Sequence, residues 1–271
     1  MEGFSRKLRA SGHSLILFAA CVSVMGAVRA AAPDTAADCS VVSGEVIRPL
    51  VELYTSEGCS SCPPADRWLS RQAPVSDANF LAFHVDYWDY IGWADPFASP
   101  AFAARQRARV AAQGARTVYT PQVMVGGQAR VRWQDPVAFK AALGDVAAIA
   151  PVALSIRLQR DGEVWTAAVG AAWHALPSSS RLWLARYEDG QQSRVQAGEN
   201  AGATLRHDRV VTALFGPWPL TGDSPLAERL DLDDLDSRWG LTAFVQTERG
   251  EILQSLSLDT GQCRAENAAP D

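Results

Sequence analysis

The 271-residue sequence has no long repeat and no low-complexity tract, and its one extended apolar run lies at the N-terminus. With 48% hydrophobic and 20% charged residues, the composition is that of a globular protein. Beyond residue 30, no run approaches the roughly 20 apolar residues that a membrane-spanning helix needs. We therefore predict no stable membrane span once the N-terminal segment has been removed.

The first 30 residues have the pattern of a secretory signal peptide. Arg6, Lys7 and Arg9 precede an apolar stretch at 15–25, and Val28-Arg29-Ala30 places small residues at the −3 and −1 positions of a cleavage site. The apolar stretch is too short to span a bilayer comfortably. The sequence predicts removal of this segment and a periplasmic or secreted protein.

An excess of positive charge is also missing. Residues 1–30 hold four basic residues and one acidic residue, so the 25 basic and 30 acidic residues of the whole chain become 21 and 29 in the mature part, a net charge of −8. Binding to a phosphate backbone depends on a basic surface. We predict that nucleic acid is not a partner.

Cysteines are few, and the four in the mature part are Cys39, Cys59, Cys62 and Cys263. An even number in an exported protein favours pairing. Cys39 and Cys263 lie near opposite ends of the mature chain, and we predict that they form a structural disulfide that closes a long loop. Cys59 and Cys62 remain as a second pair.

The second pair lies between a predicted strand and a predicted helix. Val46–Tyr54 is typical of a strand. After a short polar turn, Ser60 or Ser61 is expected to cap a helix whose first turn contains Pro63 and Pro64. Two thiols at a helix N-terminus can form a redox-active disulfide or share a metal ion.

Alternating strands and helices continue to residue 150. We predict a buried strand at Phe80–Asp86, a helix from Ser99-Pro100 to Gly114, a strand at Thr120–Val125, a Gly126-Gly127 hairpin returning at Ala129–Trp133, and a helix from Asp135-Pro136 to about Ala148. The order β-α-β-α-β-β-α predicts an α/β fold with a mixed sheet and helices on both faces.

Beyond Pro151 the pattern changes to short, regularly spaced strands, which predicts a smaller antiparallel β-sandwich-like domain. The predicted organisation is a signal peptide at 1–30, a flexible lead at 31–45, an α/β domain at 46–150, an all-β domain at 151–263 and a tail at 264–271.

Four segments of the α/β domain together resemble a known family. They are ELYTSEGCSSCPPAD (52–66), AFHVDYWDYIGWADPFASPAF (82–102), Arg105-Gln106 and VYTPQVMVGG (118–127). A strand leading into C-x-x-C at a helix start, with Thr-Pro before a hairpin, is similar to the thioredoxin fold. The segments resemble an exported, uncharacterised thioredoxin-like family of bacteria and plants. The resemblance implies a thioredoxin-like domain at 46–150, with a cis-proline at Thr120-Pro121 facing the cysteine pair.

One position departs from the thioredoxin pattern. Many thioredoxins have a buried acid six residues before the first cysteine, where this chain has Leu53. The neighbouring Glu52 points to the opposite face of the strand, and a carboxylate at Glu57 would oppose the ionisation of a nearby thiol. Proton transfer is therefore expected to be arranged differently.

The cysteine pair predicts thiol–disulfide exchange with protein thiols or disulfides and without a cofactor. Cys59, expected to be the more exposed sulfur, attacks the partner or is attacked, and Cys62 resolves the mixed disulfide. Thr120 and Pro121 are expected to hold an extended partner segment. The aromatic residues that follow the second strand can wall a substrate groove or pack between the two domains; they are Tyr87, Trp88, Tyr90 and Trp93.

Two other interpretations stay open. The pair can be an inert disulfide on a noncatalytic binding protein. With His84 or Met124 it can instead bind a soft ion such as Cu(I), but spacing sets only two ligands, so we assign no metal residues. His174 and His207 are predicted to be surface or structural residues.

Overall fold

A computed structural model describes residues 38–128, 130–161, 164–174, 176–177, 179–221, 226–232 and 238–260. The described residues belong to one compact unit. The predicted signal peptide and the predicted tail lie outside the described residues. Within the described ranges, no helix is both long and apolar enough to cross a membrane.

The chain up to residue 150 contains four strands, three helices and a short 3-10 turn among the described residues. The strands are β1 (Asp38–Val42), β2 (Leu50–Thr55), β3 (Asn79–His84) and β4 (Gln122–Val125). The helices are α1 (Pro63–Gln72), α2 (Pro100–Ala112) and α3 (Pro136–Gly144), and the 3-10 turn is Asp89–Ile91.

The rest of the described chain is made of strands. They are β5 (Val152–Asp161), β6 (Val164–Trp173), β7 (Arg181–Glu188), β8 (Gln191–Arg194), β9 (Thr204–His207), β10 (Val210–Pro219), β11 (Leu226–Leu232), β12 (Trp239–Gln246) and β13 (Ile252–Asp259). Together with the helices they confirm the predicted mixed α/β class.

Prolines and N-cap residues in the sequence correctly predict where several strands and helices begin. β2 begins directly after Pro49, which has no N–H to donate to a neighbouring strand. The side chains of Ser99 and Asp135 accept hydrogen bonds from first-turn N–H groups of α2 and α3, as expected of N-caps that precede a proline. These caps are set by adjacent residues alone, so they can be read without knowledge of the tertiary fold.

Four local predictions are corrected. The N-cap of α1 is Cys62 and no side chain caps it, because the two prolines that follow remove N–H groups that a serine cap accepts from. After the Val125–Gln128 bridge the chain forms no regular returning strand over its described residues. α3 ends at Gly144 rather than near Ala148. The predicted flexible lead contains β1, because that strand pairs with β5.

Seven strands form one sheet in the order β13-β12-β7-β10-β3-β2-β4. β2 runs parallel to β3 and antiparallel to β4. β10 lies beside β3, where the Ala82 N–H donates to the Arg209 carbonyl at 2.8 Å. A separate four-stranded sheet has the order β1-β5-β6-β11, and β8 pairs with β9.

This topology corrects the division at Pro151. Strands from both sides of that residue share the seven-stranded sheet, so the second part of the chain is not a separate sandwich domain. Alternation within each strand predicts which faces are buried but not which strand lies alongside. The order of strands from distant parts of the chain therefore appears only in the tertiary structure.

The seven-stranded sheet is covered on both faces. Alternate residues of β2 enter two different cores: Leu50 and Tyr54 pack with α2, whereas Val51 and Leu53 pack with α1 and α3. A third core lies between the four-stranded sheet and the β7, β12 and β13 end of the large sheet. The loop that joins β2 to α1 emerges where the first two cores meet.

Candidate functional site

Cys59 and Cys62 form a disulfide with a Cα–Cα distance of 5.4 Å. β2 ends just before the Ser56–Gly58 turn, and Cys62 is the N-cap residue of α1. The helix N-terminus carries partial positive charge, which favours a thiolate on a nearby sulfur. The disulfide therefore lies in a place suited to cysteine redox chemistry.

Both sulfur-bearing residues are buried: Cys59 is 1% exposed and Cys62 is 0% exposed. The expectation that Cys59 is the more accessible is corrected, because the exposed part of the loop is Ser60 and Ser61. The Ser61 hydroxyl lies 3.2 Å from Cys59 Sγ. The disulfide is therefore shielded from solvent in this structure.

Glu57 does not face the disulfide as an isolated carboxylate. Its side chain is fully buried, the Trp93 indole donates to Oε2 at 2.8 Å, and the Ser193 hydroxyl donates to Oε1. His207 Nε2 lies 3.0 Å from the same Oε1. Burial by itself would raise the pKa of Glu57, but the hydrogen bonds from His207, Ser193 and Trp93 hold it below its usual value.

A second buried pair, His84 and Asp95, lies beside Glu57 and His207. His84 Nδ1 lies 2.7 Å from Asp95 Oδ2, and the backbone N–H of Glu57 donates to the same oxygen at 2.8 Å. Burial opposes the charged form of His84, but the Asp95 carboxylate raises the histidine pKa above its usual value. The pKa of Asp95 is correspondingly lowered, because His84 outweighs the effect of burial. This pair holds the turn before Cys59 in place.

Asp66 of α1 and His207 of β9 extend this arrangement towards the second cysteine. His207 Nδ1 lies 3.7 Å from Asp66 Oδ2, and the His84 and His207 rings meet edge to face at 4.8 Å between centroids. Burial raises the pKa of Asp66, and the two histidines only partly offset that effect. We call Glu57, Asp66, His84, Asp95 and His207 the buried acid–histidine cluster.

The loop after β8 closes the site from the far end of the chain. The Asn200 side-chain amide donates to the carbonyls of Glu57 and Cys59 at 2.8 and 3.0 Å. The Ser60 N–H donates to Glu199 Oε2 at 3.0 Å. Sequence reading missed both residues and assigned His207 no functional role, because a polar residue in a β region gives no local signal of a partner over 130 positions away.

The segment at 87–93, which contains four aromatic residues, lies against the loop that carries the disulfide. A Cβ at Gly58 would lie 2.9 Å from Trp88 Cβ, so only glycine allows this approach. The Trp88 indole donates to Thr120 Oγ1 at 2.7 Å, and the Thr120-Pro121 peptide bond is cis. Tyr87 is held by Gln106 of α2, with the hydroxyl 3.1 Å from Oε1.

The predicted substrate-binding residues are thereby brought to one region. Tyr87, Trp88, Thr120 and Pro121 are all partly exposed. Trp93 instead points inward to Glu57, and Tyr90 is 81% exposed. The segment therefore packs against the site, and only some of its rings are available to a partner.

The alternative metal ligands do not gather around the cysteine pair. Met124 lies in the α2-side core, and His84 uses Nδ1 on Asp95. In the described part of the chain, no group of three or more His, Cys, Asp or Glu side chains is arranged to hold a metal ion. His174 is exposed, as predicted.

The predicted Cys39–Cys263 pairing stays a prediction. Cys39 is 6% exposed and lies in β1, within the core between the two sheets. Cys263 lies outside the described residues.

Glu57 gives a testable pH dependence. Because its folded pKa is lowered from 4.5, the carboxylate stabilises the fold above that pH, and this contribution is lost as pH falls through the folded pKa. We expect Glu57→Gln to lower the free energy of unfolding at pH 7 by about 2–3 kcal/mol, since hydrogen bonds to a buried charge are each worth about that much. Urea unfolding at pH 7 and pH 3 measures the difference, which should shrink at the lower pH.

Glu248→Gln is the matched control for this change. Glu248 is 62% exposed and pairs with Arg181 at the surface, so its replacement is expected to cost less than about 1 kcal/mol. An equal loss at both pH values in Glu57→Gln would contradict a charged role for Glu57.

Together, these elements define a mixed α/β protein with a buried disulfide at the N-terminus of a helix. Residues 50–246 match the family described as "Protein of unknown function (DUF1223)", and the chain belongs to that family. This family membership confirms the predicted resemblance to an uncharacterised family.

The chain is also similar to a crystal structure of a protein from Agrobacterium tumefaciens. The two sequences are 24% identical, the TM-score is 0.58, and the match covers 80% of this chain and 96% of that chain. At this identity the likeness concerns the fold alone. None of the curated proteins compared with the chain matches it.

Proposed function

We propose that the protein is an exported thiol–disulfide oxidoreductase with a thioredoxin-like core, and that Cys59 and Cys62 are its redox pair. The observation that carries the proposal is the Cys59–Cys62 disulfide between β2 and the N-terminus of α1. Such a position lowers the free energy of a thiolate, the form of cysteine that attacks disulfides and leaves from them.

The surroundings support a thioredoxin-like core. β2 pairs with β3 in parallel and with β4 antiparallel, and β4 directly follows the cis Thr120-Pro121 bond. The packing of α1 with one face of β2 and α2 with the other agrees with this arrangement. The predicted signal peptide supports export to the periplasm or beyond, where disulfides persist.

The proposed reaction is an exchange with a protein dithiol. A partner thiolate attacks Cys59 Sγ, the Cys59–Cys62 bond breaks, and Cys62 Sγ takes up a proton. The second partner thiolate then attacks the partner sulfur of the mixed disulfide, and Cys59 leaves with the electron pair. The partner is oxidised to a disulfide and the protein is reduced to two thiols; the reverse sequence reduces a partner disulfide.

Partner binding is assigned to the partly exposed residues beside the loop. Thr120 and Pro121 hold an extended segment through backbone contacts, while Tyr87 and Trp88 supply apolar contact area. Because both cysteines are buried, partner binding must be coupled to movement of the Ser60–Ser61 loop.

A redox titration with thiol alkylation tests the proposal. We expect the wild-type disulfide to be reduced with a midpoint above roughly −300 mV, since structural disulfides in exported proteins typically lie below that value. Cys59→Ser should abolish exchange, and Cys62→Ser should trap a mixed disulfide with the partner. Glu248→Gln, whose carboxylate is 62% exposed and pairs with Arg181 at the surface, is the control and should exchange like the wild type.

A noncatalytic binding protein with an inert disulfide is the second candidate. The burial of both sulfurs favours it. A midpoint below roughly −300 mV, together with no mixed disulfide in Cys62→Ser, would establish this candidate and remove the oxidoreductase proposal.

A further inference from the structure

A cavity lies beside the first turn of the disulfide helix. It has a volume of about 200 Å³ and lies between the first turn of α1 and strand β9. Asp66 and His207 line it, and Arg67 and Arg206 lie at its edge. The two titratable side chains that line it are themselves only 5% and 2% exposed.

Asp66 is adjacent to Cys62 on the same face of the helix. Cys62 has helical dihedral angles (φ −78°, ψ −40°), and the Asp66 N–H donates to the Cys62 carbonyl at 3.1 Å. Residues four positions apart in a helix have their Cβ atoms about 5–6 Å apart. Asp66 and Cys62 are therefore neighbours on one face of the helix start, and Cys62 is itself 0% exposed.

His207 completes a path from this carboxyl group. Its Nδ1 is buried, makes no hydrogen bond and lies 3.7 Å from Asp66 Oδ2. Its Nε2 is held by Glu57 at 3.0 Å, so the ring is fixed in orientation with Nδ1 towards Asp66. An unpartnered buried nitrogen beside a carboxylate and a cavity is an unusual arrangement that a purely structural histidine does not require.

We propose that Asp66, assisted by His207, transfers the proton of the Cys62 thiol to and from solvent through this cavity. The inference rests on the proposed thiol–disulfide exchange. Asp66 of α1 and His207 of β9 would then perform the proton transfer for which many thioredoxins have a buried acid at the position of Leu53.

When the protein reduces a partner disulfide, Cys59 is first joined to a partner sulfur while Cys62 is a thiol. Asp66 carboxylate accepts the Cys62 proton, the Cys62 thiolate attacks Cys59 Sγ, and the bond between Cys59 and the partner breaks. The partner sulfur leaves as a thiolate, and the proton on Asp66 passes to water in the cavity, directly or through His207 Nδ1.

The charges around Asp66 suit this role. His207 and His84 face it from β9 and β3, Glu57 and Asp95 lie behind the two rings, and Arg67 and Arg206 flank the cavity. Burial raises the pKa of Asp66, which brings it closer to that of a thiol, and proton transfer is most effective when the two values approach each other.

Single-turnover kinetics of Asp66→Asn test the inference. The reduced protein is mixed with oxidised glutathione, quenched with acid at intervals, and the mixed disulfide on Cys59 is followed by mass spectrometry. General acid–base groups typically contribute ~100-fold or more, and we expect resolution of the mixed disulfide to slow by about 10- to 100-fold at pH 7. The difference in rate between the variant and the wild type should narrow as pH rises, because at higher pH the thiol ionises without a general base.

Two further variants make the test specific. His207→Gln should slow resolution by a smaller factor, several-fold at pH 7, and should change the pH profile in the same direction. Asp77→Asn changes an exposed carboxylate just after α1 and should match the wild type. Near-ultraviolet circular dichroism checks folding, and Asp66→Asn should fold because burial disfavours the carboxylate that it removes.

Asp66→Asn that resolves within twofold of the wild type, with the same pH profile, overturns the inference. Should that variant not fold, a wild-type rate and profile in His207→Gln overturns it instead. Failure of the proposed function has a different signature, because the wild-type protein would then form no mixed disulfide.

Discussion

A chain that ends at Ala150 is expected not to fold. The core around α2 contains four large side chains from beyond that point: Tyr187, Val211, Phe244 and Ile252. Each buried side chain of this kind contributes about 1.5–3 kcal/mol, so their removal costs roughly 6–12 kcal/mol. That loss is comparable with the whole stability of a typical domain, about 5–15 kcal/mol.

Polar contacts add to this expectation. The Gln254 side chain accepts from the Arg48 N–H at 2.8 Å and donates to the carbonyls of Gly44 and Val46. The truncated chain would also lose β10, which lies beside β3.

Circular dichroism and urea unfolding of residues 31–150, compared with residues 31–271, measure this effect. The longer chain should unfold cooperatively and the shorter one should not. A cooperative transition in the fragment would restore the division at Pro151 that the sequence pattern predicts.

The same fragment also lacks Ser193, Asn200 and His207, so its disulfide loop should be accessible to alkylating reagents after mild reduction.

Glu52→Gln is expected to lower the free energy of unfolding by about 3–5 kcal/mol, because it leaves two buried guanidinium groups without their carboxylate. Glu52 is fully buried and pairs with Arg105 at 2.5 Å and with Arg109 at 2.8 Å. Burial by itself would raise the pKa of Glu52, but the two arginines hold it below its usual value. Arg105 also lies over the rings of Phe83 and Phe244, so it cannot easily move to solvent.

Urea unfolding at pH 7 measures this loss. The double variant Glu52→Gln/Arg105→Met removes one charge of each sign and should recover part of the stability, because an apolar side chain suits the aromatic surroundings. A loss below about 1 kcal/mol in the single variant, the range of surface ion pairs, would contradict a buried role for this group.

Much of the local structure was readable from adjacent residues. The serine or aspartate followed by proline at the starts of α2 and α3, and the continuous apolar run of β3, each depend on neighbours within a few positions. The short strands β8, β9 and β11 have only 4, 4 and 7 residues, so their alternation carries little periodic signal.

The candidate site also has one part that the sequence predicts and another that appears only in the tertiary structure. The pair Cys59 and Cys62 was predicted from its residue types and spacing, and the Thr120-Pro121 element from the resemblance to the thioredoxin fold. The buried acid–histidine cluster was not predicted, and the absence of an acid at Leu53 left proton transfer unassigned. His207 meets Glu57 across 150 positions of sequence, and no local pattern specifies such a contact.

By itself, the sequence determined the mixed α/β class, the strand-to-helix setting of the cysteine pair and most helix starts, because these follow from residues close together in the chain. Only the tertiary structure decided that both cysteines are buried, that one sheet crosses Pro151, and that Asp66 and His207 meet beside a cavity. Those features depend on which distant strands lie side by side, and strand alternation leaves that choice to the packing of the whole chain.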